Sequence, residues 1–543
     1  MRRIVIVGGV AGGMSAATRA RRINEDAEIT VIEKGGFISF ANCGLPYHLA
    51  GRIESEDSLL LTTPEKVWKR FRIDARVGHE VLSIDRVSRT VEVRNIEKSA
   101  VYRLPYDKLI LAPGATPIIP PIQNVDAKNV MLLRSMEDMR IIRKRLSQEK
   151  PKNIAIIGGG FIGLEMAEAM VDRGLKVTVI EKAPRVLPPI DPEMARFVED
   201  ELKRHGVNVL SNNGLKALHG SRDAVTHVEL DDGTRVEADA VLLSIGVRPH
   251  THLAKDAGLT IGITGAIQVD RFQRTNDPDI YAVGDASEVM HGIHGKVARI
   301  PLAGPANRQG RLAGEHAASD DAIAAGSVIG TAIVAVFDLA VAVTGLGEKA
   351  ARDAGFNVDT AYVMPNHHAS YYPGAQQMRL KLIYDRDSGK VLGGQIVGTE
   401  GVDKRIDVLA TTIHFGGKLE DLASLDLAYA PQFGGAKDPL HIAAFVAINQ
   451  MRGISRGVSL SEVTNPQLID VRSPGEFAAG TLRGAINIPV DELRQKLDDL
   501  DKAKETIVFC QVGQRGFVAE RILRQKGFDR VHNLKGGFEM ARN

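Results

Sequence analysis

One pattern occurs twice in this chain of 543 residues and limits its fold more than any other feature. A short β-branched strand runs into a glycine turn, a helix follows, and a second strand ends at a glutamate. The turns are 8–13 and 158–163, and the closing acids are Glu33 and Glu181. Glycines let a backbone approach a pyrophosphate, the helix N-terminus stabilises its charge, and the acid accepts hydrogen bonds from a ribose. Two copies predict two dinucleotide sites.

The two glycine turns differ at one position. The second fits G-x-G-x-x-G throughout, whereas Val10 replaces the middle glycine of the first. Two dinucleotide folds in one chain usually bind a flavin and a nicotinamide, so we expect FAD and NADH. Glu181 favours NADH because a carboxylate repels a 2′-phosphate, although Lys182 and Arg185 leave NADPH open. The expected ligands are Gly8, Gly12, Gly13 and Glu33 for FAD, and Gly158, Gly160, Gly163 and Glu181 for the nicotinamide nucleotide.

Composition and charge exclude several classes. Lys and Arg number 69 against 67 Asp and Glu, so we expect no nucleic acid or membrane surface as partner. The apolar stretch 330–347 contains Asp338 and several glycines, which favours core strands over a membrane span. Glycines also break the apolar run after Arg2 and Arg3, so no export signal is predicted. We expect a cytoplasmic protein that acts on small molecules and binds no metal.

Three further segments carry a family resemblance. Residues 109–115, 244–249 and 275–285 each place a strand before a glycine, the last with the sequence TNDPDIYAVGD. Together with the two turns, they resemble the two-dinucleotide flavoprotein disulfide reductases. The resemblance implies that Asp285 binds the ribityl chain of FAD and that 301–306 lie near the flavin ring. It adds these cofactor-binding residues: Ala112, Gly246, Pro301, Leu302 and Ala303.

Cys43 is one of only two cysteines, too few for a disulfide framework and typical of a reducing compartment. Its segment SFANCG resembles the single-cysteine branch of the family: coenzyme A disulfide reductase, NADH oxidase and NADH peroxidase. A thiolate is the nucleophile, and electrons from flavin would reduce a sulfenic acid, mixed disulfide or persulfide on Cys43. Oxidases and peroxidases usually have a histidine where this chain has Ala11, so the coenzyme A branch is favoured.

Two later segments point the same way. Residues 370–374 and 429–433 resemble those of coenzyme A disulfide reductases that carry two functional tyrosines, here Tyr371 and Tyr429, which reach the cysteine of the other subunit. Guanidinium groups suit phosphate, although an exposed helical arginine is often only solvated. Gln432 and the Gly434-Gly435 pair depart from the usual Pro and Ser and leave the pocket's shape open. The implied coenzyme A ligands are Arg19, Arg22, Ser39, Asn42 and Lys437.

The second cysteine lies in a different context. From about residue 460 the chain resembles a rhodanese domain, in which Asp470, Arg472 and Glu476 match framework positions. Cys510 begins the loop CQVGQR where a strand turns into a helix. Backbone N–H groups and the helix dipole stabilise a thiolate or persulfide there, and Arg515 orders the loop. The six-residue length matches sulfur-transferring rhodaneses rather than phosphatase relatives.

The expected fold is α/β, with two Rossmann-like dinucleotide-binding domains, an α+β dimerisation domain and a C-terminal α/β rhodanese domain. Expected boundaries are 1–120 with 245–325 for FAD, 121–244 for NAD(P)H, 326–446 for dimerisation, 447–459 as linker and 460–543 for rhodanese. We expect a homodimer with shared active sites that uses FAD, NADH and coenzyme A. Its expected substrates are coenzyme A persulfide, polysulfide or coenzyme A disulfide, reduced through Cys43 with sulfane sulfur handled by Cys510.

Two other functions stay open from the sequence. One is an NADH oxidase or peroxidase with an appended sulfurtransferase, against which Ala11 argues. The other is a sulfur-relay or sensor protein whose flavin is regulatory, which steady NADH turnover with a persulfide would exclude.

Overall fold

The computed structural model describes residues 1–542. They form two compact units: Met1–Pro188 with Leu202–Gly330, and Pro189–Glu201 with the chain from Thr331 onward. Residues 189–201 therefore group with the second unit, although they lie within the range expected for the NAD(P)H domain. The domain boundaries given above stay predictions.

The first unit opens with a parallel five-stranded sheet. Its strands, in spatial order, are Ile280–Ala282, Lys108–Leu111, Arg3–Val7, Glu28–Glu33 and Ile73–Val77. Ile4 and Ile6 are completely buried because helices and loops cover both faces, as is usual for parallel sheets. A three-stranded antiparallel sheet of His79–Asp85, Thr90–Asn95 and Val101–Pro105 packs nearby.

The same topology recurs in the second dinucleotide region. The parallel strands, in spatial order, are Asn208–Leu210, Lys176–Ile180, Asn153–Ile157, Ala240–Leu243 and Val130–Met131. Asn153 pairs with Lys176, and Ile154 pairs with Ala240. The smaller sheets of this unit comprise Leu215–Gly220, Val225–Leu230 and Arg235–Glu237; Ala115–Pro117 and Val247–Pro249; Val289–Met290 and Val297–Ala298. The repeated unit predicted from the two glycine turns is thus present.

Helices cover these sheets. Helix Ala303–Ser319 crosses helix Ala11–Ile23 closely enough that a Cβ on Gly310 would lie 2.1 Å from the Gly12 carbonyl oxygen, so this crossing requires glycine. The other helices of the unit are Leu45–Ala50, Pro64–Phe71, Met136–Gln148, Phe161–Asp172 and His252–Asp256, with 3-10 turns Asn42–Gly44, Glu56–Leu59 and Gly284–Ala286. Helix Pro192–Arg204 runs from residues of the second unit into the first.

The second unit begins with an antiparallel sheet. Its strands, in spatial order, are Ala332–Val336, Leu339–Gly345, Val391–Gly398, Arg379–Asp385 and Val358–Val363. The first two confirm that 330–347 folds as strands. Helices Glu348–Asp353, Val402–His414, Leu419–Ser424 and Pro439–Met451 pack beside them. No helix within residues 1–542 is long and apolar enough to cross a membrane.

The C-terminal part of this unit is a separate parallel sheet. Its strands, in spatial order, are Gly457–Val458, Val531–Leu534, Thr506–Phe509, Gln467–Asp470 and Ile486–Asn487. Its helices are Pro474–Ala478, Gln514–Gln525 and Gly537–Ala541, with 3-10 turns Leu460–Glu462, Leu493–Gln495 and Leu497–Asp499. Ile507 and Phe509 are completely buried. The predicted strand before Cys510 is therefore present.

Candidate functional site

The two glycine turns repeat one hydrogen-bonding arrangement. Glu33 accepts the Gly9 and Gly35 N–H groups, each at 2.7 Å, and Glu181 accepts those of Gly159 and Ala183 at the same distances. Neither following helix has a side-chain cap or an acidic residue in its first turn. Their N-terminal N–H groups and positive dipole ends therefore suit a pyrophosphate.

A partly buried arginine that the sequence did not single out, Arg134, strengthens the case for FAD. Burial lowers the pKa of Arg134, while the carboxylates of Asp285 and Glu33 act to raise it. Its Nη2 donates to the Pro113 carbonyl at 3.4 Å. A desolvated guanidinium between two predicted FAD ligands fits a dianionic pyrophosphate. The segment LLRSM gave no indication of this role, since only the fold brings Arg134 to Pro113 and within electrostatic range of Asp285 and Glu33.

The other predicted FAD ligands lie on loops of the same unit. The carbonyl oxygen of Ala112 would be 2.1 Å from a Cβ on Gly8, so the strand end and glycine turn touch. Asp285 lies in the turn Gly284–Ala286, and its burial raises its pKa. Pro301 and Leu302 precede helix Ala303–Ser319, whose N-terminus has no side-chain cap. The Gly246 carbonyl accepts the Ile118 N–H at 2.9 Å. The residues present fit a dinucleotide.

Cys43 lies in the 3-10 turn Asn42–Gly44, just before helix Leu45–Ala50, and is exposed. Partial desolvation by the surrounding protein raises the pKa of its thiol, and the carboxylates of Glu165 and Asp285 raise it further. The thiolate that the chemistry requires is therefore disfavoured by the local negative charge. Cys43 needs a proton acceptor or a compensating positive charge to react.

Glu165 and Tyr47 are further residues near the thiol that the sequence did not indicate. The Tyr47 hydroxyl donates to Glu165 Oε1 at 3.1 Å. Burial raises the pKa of Glu165 and also that of Tyr47. Glu165 lies two residues beyond the second glycine turn, and this position in the sequence does not indicate that it acts on Cys43. Tyr47 and Glu165 thus form a partly buried, hydrogen-bonded pair that can hold a proton at the helix following Cys43.

The residues of the first unit that the resemblance implies as coenzyme A ligands differ in exposure and in whether their side chains are already paired. Arg19 pairs with Glu315 at 2.6 Å, so its charge is partly neutralised, whereas Arg22 is exposed and lies over the Phe71 ring. Ser39 has a left-handed backbone with φ of 47° and donates its N–H to Gly9. Asn42 adjoins Cys43 and is exposed. Of these four expected ligands, Arg22 and Asn42 are thus the more accessible.

Tyr371 and Tyr429 come together in the second unit. Their hydroxyl oxygens are 2.9 Å apart although the residues are 58 positions apart in sequence. The shared hydrogen bond raises the pKa of Tyr371. The side chains are 74% and 50% exposed, so the pair stands at the surface of its unit. Lys437 is exposed on the loop that carries Tyr429.

The loop from Cys510 to Arg515 surrounds the sulfur atom of Cys510. Cys510 is 1% exposed, and the Gly513 N–H donates to its Sγ at 3.2 Å. Helix Gln514–Gln525 begins directly after this contact. A buried sulfur that faces a helix N-terminus and a backbone donor is suited to carry negative charge, as the sequence predicts.

Charged residues of the same domain hold this loop. Arg515 donates two hydrogen bonds of 2.7 Å to Glu476, which lowers the pKa of Glu476 to about 2. The hydrogen bonds to Glu476 raise the pKa of Arg515, and Cys510 acts in the same direction. Arg472 pairs with buried Asp470 and also donates to the Gln511 side chain at 2.9 Å. Two of the three expected framework residues, Arg472 and Glu476, therefore support the loop directly.

Family comparisons agree with this geometry. The model of pyridine nucleotide-disulphide oxidoreductases matches residues 2–310, its dimerisation domain matches 331–439, and a rhodanese-like domain matches 458–541. The chain belongs to the pyridine nucleotide-disulphide oxidoreductases. It is a flavoprotein oxidoreductase with FAD and NAD(P)H as cofactors, which confirms the predicted fold class, enzyme class and dinucleotides.

Curated relatives of this oxidoreductase cover the part before the rhodanese-like domain. A Methanocaldococcus jannaschii protein named NADH oxidase is 36% identical over 83% of this chain and 99% of its own length. A Pyrococcus horikoshii protein named NAD(P)H coenzyme A polysulfide/persulfide reductase is 36% identical over 82% of this chain and 98% of its own. The relatives of this chain thus include one named as an oxidase and one named as a persulfide reductase.

Solved structures are similar to this chain over all of its domains, including the rhodanese-like domain. The reduced Bacillus anthracis protein CoADR-RHD has a TM-score of 0.96 and 43% identity, covering 99% of this chain and 97% of its own. A NAD-dependent persulfide reductase from A. fulgidus has a TM-score of 0.95 and 39% identity, covering 99% of both chains. The predicted combination of a disulfide-reductase core with a rhodanese domain is confirmed.

Proposed function

We propose that this oxidoreductase reduces coenzyme A persulfides, polysulfides or coenzyme A disulfide through Cys43, and that Cys510 captures and transfers sulfane sulfur. The observation that carries the proposal is the placing of its two cysteines. Cys43 lies beside predicted FAD ligands, whereas Cys510 lies in a buried anion-stabilising loop. Neither has a second cysteine beside it, since the chain has only two. A bound thiol must therefore complete each sulfur exchange.

The proposed reductive half-reaction takes place on Cys43. Its thiolate attacks the carbon-bound sulfur of CoA–S–SH; a Cys43–S bond forms, the S–S bond breaks and hydrosulfide leaves. The first glycine turn and Asp285 would hold FAD near Cys43, and FAD bound there would supply an electron pair taken from NAD(P)H. Two electrons break the resulting mixed disulfide, so that Cys43 returns as thiolate and coenzyme A leaves as a thiol. Overall, CoA–S–SH + NAD(P)H + H⁺ gives CoA–SH + H₂S + NAD(P)⁺.

The proposed role of Cys510 is to supply that substrate. Its thiolate attacks the terminal sulfur of a persulfide or polysulfide donor; a Cys510 S–S bond forms, the donor's S–S bond breaks, and the donor leaves as a thiolate or shortened polysulfide. The resulting Cys510–S–S⁻ is stabilised by the Gly513 N–H and the helix dipole. A coenzyme A thiol then accepts this sulfur and forms CoA–S–SH, which restores Cys510. Coenzyme A would thus act as the carrier thiol that links the two reactions.

We further propose a homodimer in which Tyr371 and Tyr429 of one subunit serve Cys43 of the other. The match to a dimerisation domain and the surface position of the tyrosine pair support this arrangement. A hydroxyl there can donate a proton or hydrogen bond to the leaving coenzyme A thiolate, worth about 10²–10⁴-fold in rate. We propose phosphate contacts from Arg22, Arg19 and Lys437, with Ser39 and Asn42 beside the thiol. Glu181 supports NADH over NADPH.

The decisive measurement is anaerobic NADH oxidation with coenzyme A persulfide, polysulfide, coenzyme A disulfide and hydrogen peroxide as separate acceptors. We expect turnover with the sulfur acceptors and little with peroxide. Cys43→Ser should keep FAD and NADH binding and lose turnover with every sulfur acceptor. Rates near those of the parent enzyme in that variant would refute the assignment of Cys43.

A second function has one observation in its favour. The M. jannaschii relative is named NADH oxidase. Ala11 in the first glycine turn argues against it, because no acid–base group stands there to assist peroxide cleavage. Oxygen-dependent NADH consumption faster than anaerobic reduction of coenzyme A persulfide would favour the oxidase.

A further inference from the structure

The tyrosine pair is carried by two loops that are distant in sequence. Tyr371 lies between strands Val358–Val363 and Arg379–Asp385, and Tyr429 lies between helices Leu419–Ser424 and Pro439–Met451. The loops meet at the two hydroxyls and at a backbone hydrogen bond of 3.0 Å from the Ala369 N–H to the Gly434 carbonyl. Because half or more of each tyrosine side chain is exposed, side-chain packing alone does not hold the hydroxyls together.

A buried arginine from a third element joins the same loops. Arg405, in helix Val402–His414, is 1% exposed. Its Nη2 donates to the His367 carbonyl at 2.8 Å and to Asp438 Oδ2 at 2.9 Å, and its Nε donates to the same oxygen at 3.1 Å. His367 is four residues before Tyr371, and Asp438 follows Lys437. One guanidinium therefore contacts both loops.

Arg405 and Asp438, which together form a bridge between the two loops, each make a further hydrogen bond. Nη1 of Arg405 donates to the Gly401 carbonyl at 3.2 Å. Asp438 is buried, and its Oδ1 accepts the Leu440 N–H at 3.0 Å, which caps helix Pro439–Met451. The bridge thus connects two helices as well as two loops, and a shift of the guanidinium moves both loop ends.

We propose that Arg405 is a positioning residue for the active site: by joining the His367 loop to Asp438, it sets the distance between Tyr371 and Tyr429 and the place of Lys437. The proposal rests on the function proposed above for the tyrosines. Arg405 does not contact substrate; it acts through the loops. A misplacement of about 1 Å in such groups can cost about 100-fold in rate.

The fork geometry of arginine offers a test that preserves charge. A lysine at 405 keeps a cation for Asp438 but cannot also present the parallel donors that reach His367. Asp438→Asn tests the same bridge from its other end, since it keeps the capping oxygen and removes the charge. Arg86→Lys is the matched control, because Arg86 joins Asp277 at 2.7 Å to the Ala257 and Gly258 carbonyls in the other unit.

Kinetics of the full-length holoenzyme with NADH and coenzyme A disulfide form the first measurement. We expect Arg405→Lys and Asp438→Asn each to lower kcat about 10- to 100-fold with FAD content unchanged, and Arg86→Lys to leave kcat unchanged. Combined with Tyr371→Phe/Tyr429→Phe, Arg405→Lys should cause no further loss. A kcat like that of the parent enzyme in Arg405→Lys, or losses that multiply in the combined variant, would overturn the proposal.

Titration of the tyrosines, followed by ultraviolet absorbance, distinguishes a failure of the positioning role of Arg405 from a failure of the proposed function of the tyrosines. The contribution of Tyr371, obtained by subtracting the Tyr371→Phe curve, should shift to lower pH in Arg405→Lys because the shared hydrogen bond is lost. An unmoved curve would overturn the positioning role. A shifted curve with no kinetic effect of Tyr371→Phe/Tyr429→Phe would support the positioning of the pair and reject its proposed role in reduction.

Discussion

The side-chain amide of Gln511, the residue after Cys510, donates to the Glu539 carboxylate at 3.1 Å. The Glu539 N–H donates in turn to the Gln511 carbonyl at 3.0 Å. Arg542 also pairs with Glu539 at 2.8 Å, and Arg379 of the neighbouring antiparallel sheet lies 3.7 Å from it. Helix Gly537–Ala541 therefore holds the loop 510–515 through Glu539. The same carboxylate links this helix to the antiparallel sheet through Arg379.

This contact predicts a selective effect of Glu539→Ala. We expect thiosulfate-to-cyanide sulfur transfer to fall about tenfold, because loss of one buried hydrogen-bonded charge costs about 1.5–3 kcal/mol and loosens the loop. NADH-dependent reduction of coenzyme A disulfide should be unchanged. Glu505→Ala is a suitable control, since Glu505 pairs with Arg530 at 2.8 Å in the same domain. Equal sulfur transfer in the two variants would contradict the prediction.

Cys510→Ser separates the two sulfur chemistries. It should abolish thiosulfate sulfur transfer and slow reduction of polysulfide, because capture of the terminal sulfur requires the thiolate in the loop. Reduction of coenzyme A disulfide, which reaches Cys43 directly, should continue at the rate of the parent enzyme. If all sulfur substrates are reduced and transferred as before, the rhodanese-like domain takes no part in the proposed relay.

The charge environment of Cys43 predicts a change in pH dependence. Glu165 raises the pKa of the thiol, so Glu165→Gln should lower it and increase the thiolate fraction at neutral pH. Alkylation by iodoacetamide in a Cys510→Ser background should then reach half its maximal rate at lower pH. Glu137→Gln serves as control, because the Glu137 carboxylate instead accepts the Gly36 N–H at 3.0 Å. An unchanged or higher midpoint in Glu165→Gln would count against this account.

Shared active sites predict complementation between inactive subunits. A heterodimer of Cys43→Ser with Tyr371→Phe/Tyr429→Phe has one site with all three native groups if the tyrosines act across the dimer. Its kcat per dimer should be about half that of the parent enzyme, because one of two sites is intact. Heterodimers isolated with two affinity tags and assayed with coenzyme A disulfide give the answer. Activity no higher than that of the weaker homodimer would reject sharing.

Local sequence was sufficient where one segment supplies all the groups required. Strands Asn153–Ile157 and Thr506–Phe509 lie directly before the second glycine turn and Cys510, and strand Lys176–Ile180 ends next to Glu181, as the sequence pattern predicts. Both glycine turns and the Cys510 loop also follow from contiguous residues, because a glycine turn between a strand and a helix places N–H donors without help from elsewhere. For this reason the dinucleotide folds and the sulfur-binding loop could be predicted from the sequence.

Groups that act on these motifs from other segments could not be predicted in this way. Arg134 contacts the Pro113 carbonyl, Glu165 acts on the pKa of Cys43, and Arg405 joins two loops only because separate elements pack together. No spacing rule relates Gln511 to Glu539 or Tyr371 to Tyr429, since each contact depends on how the intervening chain returns. The sequence by itself determined the motifs and their chemistry, whereas the tertiary structure decided which distant charges and donors surround them. Coulombic and hydrogen-bond energies depend on distance in space, and only the packed fold sets that distance.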